Sequence, residues 1–428
     1  MPDNSSPTTS PSQLPLYVDL DGTLIKSDVS FESLLLLLKQ NVFYLALIPL
    51  WLSKGLANLK AEIAARVDVP IQHLPLNGEF WHYLEAEKQR GRRLILISAS
   101  NEKFVHSVGD YLQLFDEVVG SDAELNLKAD RKLQRIRETN SDAGFAYAGN
   151  SRADLPIWAA ADQVIMVNCP AALGGHLAPP EQVEHFDAPD ATAAQLWKAM
   201  RPHQWLKNGL VFLPLLLAHQ LNDLALLANA LLGFVSFSLC ASSVYLLNDL
   251  VDLDSDRSHV SKRKRPFASG RLPLAVGFIA APGLLAVAFA VALLLPPAFL
   301  LVLLLYWLLT TLYSFYLKRL FLIDVTVLAL LYTLRIYAGA AAVSVTASYW
   351  LVAFSLCLFL GLAMVKRVTE LVNRAQAQDT DAVSLDGRAY KTSHLELLTT
   401  MGGIASGLAV LVFVLYSNDP DTRVLYAS

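Results

Sequence analysis

Residues 248–256 read NDLVDLDSD and put four carboxylates into the eight positions from Asp249 to Asp256. Asn248, Asp252 and Asp256 recur every four residues, which on a helix places them on one face. The run closes a long apolar stretch and leads into a strongly basic one, KRKRP at 262–266. Carboxylates stacked at a membrane boundary repel one another and are costly unless a cation lies among them. Mg²⁺ suits that place, because it takes oxygen ligands and shares them with substrate phosphates. The basic residues beyond would then hold the rest of a phosphorylated ligand. The plainer alternative is a capped, solvated helix end, for which four carboxylates are many.

The elements that must position such a site follow from composition. The chain has 428 residues, 54% of them hydrophobic, with a mean hydropathy of +0.40, and this indicates a membrane protein with room for two or three domains. Its charge is divided. Residues 1–190 carry 16 Lys+Arg against 25 Asp+Glu, and residues 191–428 carry 18 against 13. The first part therefore reads as a soluble acidic domain and the second as a membrane domain with basic edges. Cys169, Cys240 and Cys357 are too scattered for a metal site or a disulfide framework, which suits a reducing compartment. Residues 1–14 read as a disordered polar tail and lack the basic start and apolar core of a signal peptide. No nucleic-acid partner is expected.

Short apolar runs at 15–20, 93–98, 117–119, 145–148 and 164–167 predict buried parallel strands separated by helices. Residues 169–193, rich in Pro, Gly and Ala, predict a linker. Beyond it, seven apolar segments predict spans: 208–219, 224–247, 273–294, 297–317, 322–342, 348–365 and 395–416. Alternate loops at 248–272, 318–321 and 366–394 hold thirteen Lys+Arg, and the opposite loops hold none. By the positive-inside rule the basic loops and the soluble domain are cytoplasmic, in a multi-pass inner-membrane protein. Residues 34–52 are apolar enough to imitate a span but are interrupted by Lys39, Gln40 and Asn41. They predict a helical pair within a cap of about residues 26–90, either lying on the membrane surface or packed as a cap core.

Residues 17–23 read YVDLDGT, an apolar strand ending in two aspartates two apart, then Gly and Thr. Ser98 follows a second strand, Lys128 opens a helix, and GNSRAD at 149–154 follows a later strand. In this order the four motifs resemble the haloacid dehalogenase phosphatase superfamily over residues 15–168. The residue types fit phosphomonoester hydrolysis. Asp19 can attack phosphorus and Asp21 can protonate the leaving oxygen, then activate water. Ser98 and Lys128 can hold phosphoryl oxygens. The resemblance implies Mg²⁺ held by Asp19, Asp154 and the Asp21 carbonyl, with Asn150 as ligand or outer partner. Many relatives carry Asp at the Asn150 position, and the amide here removes one charge.

The region 194–428 resembles the UbiA prenyltransferase superfamily, an all-helical polytopic fold. There, NDLVDLDSD corresponds to an Asn-Asp-x-x-Asp-x-x-x-Asp motif that binds a Mg²⁺–diphosphate group. The resemblance thus implies Asn248, Asp249, Asp252 and Asp256 as metal residues. Most members carry a second Asp-x-x-x-Asp, where this chain has KRVTEL at 366–371 and YKTSHL at 390–395. Cations replace a carboxylate pair. Together with RPHQWLKN at 201–208 and YSFYLKR at 313–319, this points to the branch that moves phosphoribose from phosphoribosyl pyrophosphate to a polyprenyl phosphate. Lys262, Arg263 and Arg265 are expected at the sugar phosphate or diphosphate, Lys207 and Lys366 at the lipid phosphate, and Tyr390 at phosphate or ribose, with Glu370 on the face of Lys366. Each cation competes with plain topogenesis. Arg335 lies inside a predicted span and either serves the pocket or pairs with Asp324.

The expected whole is therefore multi-domain: a Rossmann-like α/β domain with a helical cap, then a membrane transferase, with Mg²⁺ at both sites. The phosphatase would remove the 5-phosphate of the transferase product. The competing expectation is a prenyltransferase that moves an isoprenoid from its diphosphate to an aromatic acceptor, beside a separate phosphatase activity. Isoprenoid length and oligomeric state are left open. Relatives usually have nine spans, so seven would mean a truncated or shortened chain.

Overall fold

The computed structural model describes residues 14–122, 127–140, 144–169, 173, 183–186, 192–378 and 388–418. The expected tail at 1–14 and most of the expected linker lie outside this set. From the N-terminal side, β1 (Leu16–Val18) is followed by α1 (Val29–Gln40), a 3-10 turn (Val42–Ala46), α2 (Ile48–Ser53), α3 (Leu56–Ala64) and α4 (Gly78–Gln89). Then come β2 (Leu94–Asn101), α5 (Glu102–Leu112), β3 (Glu117–Ser121), α6 (Asp130–Asn140), β4 (Ala146–Gly149), α7 (Leu155–Trp158), β5 (Gln163–Val167), β6 (Val183–Phe186) and α8 (Thr192–Met200).

The six strands form one sheet of order β3-β2-β1-β4-β5-β6, with every pairing parallel. Alternation along the strands feeds two cores. Leu16, Val18, Leu94 and Leu96 join one cluster, and Tyr17, Ile95 and Ile97 join the other. Strand order reverses between β1 and β4, so a crevice opens beyond their carboxyl ends, where such sheets place their ligands.

Residues 34–52 fold as the expected helical pair. Asn41 ends α1 in extended backbone (φ −157°, ψ 111°), and its side chain accepts from the Phe43 amide, which starts the next turn. One expectation fails at 183–186. This stretch of the expected linker is instead the edge strand β6, seated by Phe186 against Phe80 and Tyr83. Glu184 and His185 interrupt the apolar run that marks the other strands, as an edge strand allows.

The remaining helices are α9 (Leu213–Leu217), α10 (Leu224–Val251), α11 (Leu253–Ser258), α12 (Leu274–Ala292), α13 (Pro297–Phe315), α14 (Ile323–Ala342), α15 (Tyr349–Gln378) and α16 (Leu395–Asn418). Among the described residues six helices are long and apolar enough to cross a membrane: α10, α12, α13, α14, α15 and α16. The chain is a multi-pass membrane protein. The expected first span at 208–219 is not one of the six. It breaks into a 3-10 stretch (Pro202–Phe212) and the five-residue α9, with a proline near the start of each.

By internal contacts the chain divides into two compact units. One comprises Met1–Ala199 with Asp249–Ile279, and the other Met200–Asn248 with Ala280–Ser428. The acidic run and the basic loop thus belong to the same unit as the parallel sheet.

Candidate active sites

The first site lies at the carboxyl ends of β1, β2 and β4. Asp19 follows β1 directly, and its Oδ1 accepts from the Leu20 amide and from Lys132 Nζ, both at 2.9 Å. Lys132 also donates to Tyr147 Oη at 3.0 Å, and that hydroxyl donates to Asp154 Oδ1 at 2.8 Å. Asp154 Oδ2 accepts from the amides of Asn150 and Ser151 and from Ser151 Oγ, which fixes the carboxylate at the start of the turn. Asp21 takes the Val29 amide at 2.7 Å, Ser98 Oγ at 3.0 Å and Ser100 Oγ at 2.6 Å. Gly22 has φ +77°, and a Cβ there would lie 1.9 Å from Asn150 Nδ2, so the close approach of the two loops requires glycine.

The lysine on Asp19 is Lys132, not Lys128. Lys128 is exposed and precedes α6, and Lys132 is buried one turn later on that helix. The sequence signal was there, since four residues return a helix to the same face, but choosing between the two lysines needed the helix start. Ser100 and Lys60 are also additions. Lys60 reaches in from α3, donates to the Ala99 carbonyl at 2.6 Å and feels the charges of Asp21 and Asp28. Burial raises the pKa of Asp19; Lys132 opposes the rise, and Asp154 and Asp21 add to it. Burial likewise raises Asp21, with Asp28 adding and the Ser100, Val29 and Ser98 hydrogen bonds opposing. Three carboxylates around one buried ammonium leave excess negative charge.

Among the described residues no three His, Cys, Asp or Glu side chains converge as a ready-made metal cage. Mg²⁺ needs no such cage. It keeps several waters and takes one or two carboxylates with the substrate's own oxygens. The hard oxygen donors and surplus charge of Asp19 and Asp154 fit it.

The second site is the acidic run. It does not form one continuous helix face. α10 ends at Val251, and Asp252 (φ −89°, ψ 11°) is the cap from which α11 starts. Asp249 and Asp256 lie seven residues apart, about two helical turns, on either side of this break. Both are buried, and Arg265 Nη1 bridges them at 3.1 and 2.5 Å. Lys262 Nζ stands 4.0 Å from Asp256 and Arg263 is exposed. Burial raises the Asp256 pKa against the pull of Arg265 and Lys262. Asp252 is half-buried beside them, and Asn248 is half-buried one turn back on α10. The donors are again all oxygen, so the run fits a hard divalent cation chemically, with Arg265 as the cation between its carboxylates here.

Sequence reasoning missed what holds this run in place. Arg257 makes a two-pronged pair with Glu32 of α1, at 3.1 and 2.5 Å. Asp254 pairs with His73, and Phe278 of α12 packs against Phe31 with ring centroids 5.5 Å apart and planes tilted by 39°.

In the other unit, Lys207 lies over the Tyr332 ring at 6.0 Å, and Lys366 stands 4.0 Å from Glu370. Lys207 and Lys366 are both exposed and within electrostatic range of one another. Glu370 is gripped by Arg367 at 2.6 Å, and Arg367 is fully buried on Asp324 at 2.6 Å. Arg335 does not pair with Asp324. It donates to Asn208 Oδ1 at 2.9 Å and Tyr306 Oη at 3.2 Å. Tyr390 is buried in an apolar cluster against Phe321, a packing position rather than one open to a sugar or phosphate.

A phosphatase-like crevice and an acidic helix end followed by membrane spans define a membrane enzyme with two kinds of site. Comparison with known proteins gives the families. Residues 209–419 match the UbiA prenyltransferase family and residues 16–158 match the haloacid dehalogenase-like hydrolases. The chain is 38% identical to the protein y4nM of Sinorhizobium fredii over 97% of its own length and 80% of that protein's. It is 37% identical to the nodulation protein NoeC of Azorhizobium caulinodans, covering 51% of this chain and 69% of that one. It is 31% identical to the decaprenyl-phosphate phosphoribosyltransferase of Mycobacterium tuberculosis, covering 54% of this chain and 77% of that one. The chain belongs to the UbiA prenyltransferase family and carries a haloacid dehalogenase-like hydrolase domain.

Proposed function

We propose that the membrane part transfers phosphoribose from phosphoribosyl pyrophosphate to a polyprenyl phosphate, and that the hydrolase domain then removes the 5-phosphate. The observation that carries the reading is the later loop, which reads KRVTEL rather than a second Asp-x-x-x-Asp and leaves Lys366 exposed, as Lys207 also is. A prenyl diphosphate asks for carboxylates to grip its metal, whereas a lipid phosphate asks for cations. The likeness to a decaprenyl-phosphate phosphoribosyltransferase points the same way. Thirteen cations on alternate loops against none opposite favour a cytoplasmic face of the inner membrane for the basic loops, and the pairing of Arg257 with Glu32 favours the same side for the hydrolase site.

In the transfer, a lipid phosphate oxygen bonds to C1 of the ribose and the C1–diphosphate bond breaks. The nucleophile is already an anion, so no general base is required. Lys207 and Lys366 would hold the lipid phosphate. Lys262, Arg263 and Arg265 would hold the 5-phosphate and diphosphate. Asp249, Asp252 and Asp256, with Asn248 orienting, would hold Mg²⁺, which supplies charge for the departing diphosphate. In the hydrolysis, Asp19 attacks phosphorus, Asp21 gives its proton to the 5-oxygen of the ribose, and water then frees phosphate from Asp19. Lys132, Ser98 and Ser100 hold the groups in place, and Asp19 and Asp154 would hold the second Mg²⁺.

Mass spectrometry of lipids formed from labelled phosphoribosyl pyrophosphate and polyprenyl phosphate tests both steps. The expected product is polyprenyl-phosphoryl-ribose from the native chain and its 5-phosphate from Asp19→Asn. An identical product from both would end the coupling, and no labelled lipid at all would end the transfer.

A further inference from the structure

The stretch from Val42 to Ser53 is a continuous apolar helical segment too short to span a bilayer. It is also unusually bare. Phe43 is 80% exposed and Val42 62%, with Leu45, Leu50, Leu52 and Leu56 also exposed. Soluble surfaces rarely leave so much contiguous apolar side chain uncovered without a partner. No Asp or Glu occurs between Glu32 and Glu62, whereas Lys39, Lys54 and Lys60 do. An apolar face edged by lysines is the pattern of a segment that lies in the headgroup region of an anionic leaflet.

Two contacts connect this face to the membrane and to the chemistry. At one end of α1, Phe31 packs against Phe278, in the second turn of the span α12, and the next residue, Ile279, is 74% exposed as a lipid-facing residue is. The 12 residues of α1 then carry the chain at most about 18 Å from that contact to the bare segment. At the far end of the segment, exposed Leu56 begins α3, and Lys60 follows one turn later on the same face, feeling the charges of Asp21, Asp28 and Asp19.

We propose that residues 42–56 dock in the interfacial region of the same bilayer, so that the hydrolase site takes its phosphomonoester from a lipid-borne substrate at the membrane surface. Phe43 and Leu50 enter the acyl boundary, and Lys39 and Lys54 meet lipid phosphates. The placement of the segment stands on its own; the lipid-borne substrate rests on the function proposed above.

The test uses the full chain in proteoliposomes of phosphatidylethanolamine and phosphatidylglycerol. A nitroxide is attached at Phe43→Cys, and in a second variant at Leu50→Cys, each with Cys357→Ser. Greater relaxation by oxygen than by aqueous nickel complex is expected at both positions. Greater relaxation by nickel means an aqueous segment, and protection from both means a covering protein; either overturns the proposal. The double variant Phe43→Asp, Leu50→Asp should hydrolyse water-soluble p-nitrophenyl phosphate within about twofold of the native chain. Its hydrolysis of the 5-phosphate on the lipid product should fall at least about tenfold. Equal loss on both substrates, or on neither, overturns it. A native chain that cleaves no phosphomonoester would refute the hydrolase function while the nitroxide result still decides where the segment lies.

Discussion

The two acidic clusters of the sheet-bearing unit solve one problem in different ways. At Asp19 the compensating cation is Lys132, buried on α6 and fixed by Tyr147, so it is part of a rigid frame. At Asp249 and Asp256 it is Arg265, about a third exposed, reaching over from the basic loop. The first arrangement would keep its lysine while a phosphate came and went. In the second the arginine occupies the space between two carboxylates that a divalent ion would take, and its exposure lets it turn toward a phosphate instead. Under the proposed function, a built-in cation would suit a site that repeats one hydrolysis, and an exchangeable one a site that admits a charged, metal-bound donor.

That contrast can be broken in several ways. Asp19→Asn should lower phosphate release by at least about 10³-fold while lipid phosphoribosylation continues at its native rate, because only one cluster has lost its nucleophile. A matching fall in transfer, measured on the same membranes, would merge the two sites. Asp256→Asn should do the reverse, reducing transfer by about 10²-fold and sparing p-nitrophenyl phosphate hydrolysis. Within the hydrolase site, Lys132→Met should cost about 10²-fold in kcat and Lys128→Met less than about threefold. Equal losses from the two lysines would remove the distinction between a buried cation and an exposed one.

Smaller effects sharpen the comparison. Arg265→Ala leaves Asp249 and Asp256 without their bridge, so Mg²⁺ should raise the melting temperature of that variant more than that of the native chain. An equal rise would mean that the ion binds without displacing arginine. The last effect is one of pH. Asp19 and Asp21 have raised pKa values in the folded chain, so the folded state binds their protons more tightly than the unfolded state does. Their contribution to stability is therefore greatest in acid and is lost as pH rises through the raised values. Mg²⁺ offsets that loss, and the thermal shift it causes should be larger at about pH 7.5 than at about pH 5.5. A shift independent of pH would separate these carboxylates from the metal.

Much of this was legible along the chain. The first five strands announced themselves as apolar runs, because a parallel sheet buries both faces and leaves no alternation to hide them. YVDLDGT stood out because its two aspartates sit where a buried strand must stop. Less legible were β6, where Glu184 and His185 interrupt any apolar run, and the first expected span, which passes from a 3-10 stretch to the short α9 at Pro214. The pattern of carboxylates also suggested one helix face at 248–256, yet α10 ends at Val251, and Arg265 of the basic loop is what ties Asp249 to Asp256.

The order of residues alone settled the class of each region and the types of group available, since hydropathy, charge and local motif are properties of neighbours in the chain. Which lysine meets Asp19, which cation bridges the acidic run, and the seating of that run on α1 through Arg257 and Glu32 belonged to the tertiary structure. Those pairings join residues up to 225 positions apart. A charge finds its partner only when folding has brought both out of water, and no local pattern records that meeting.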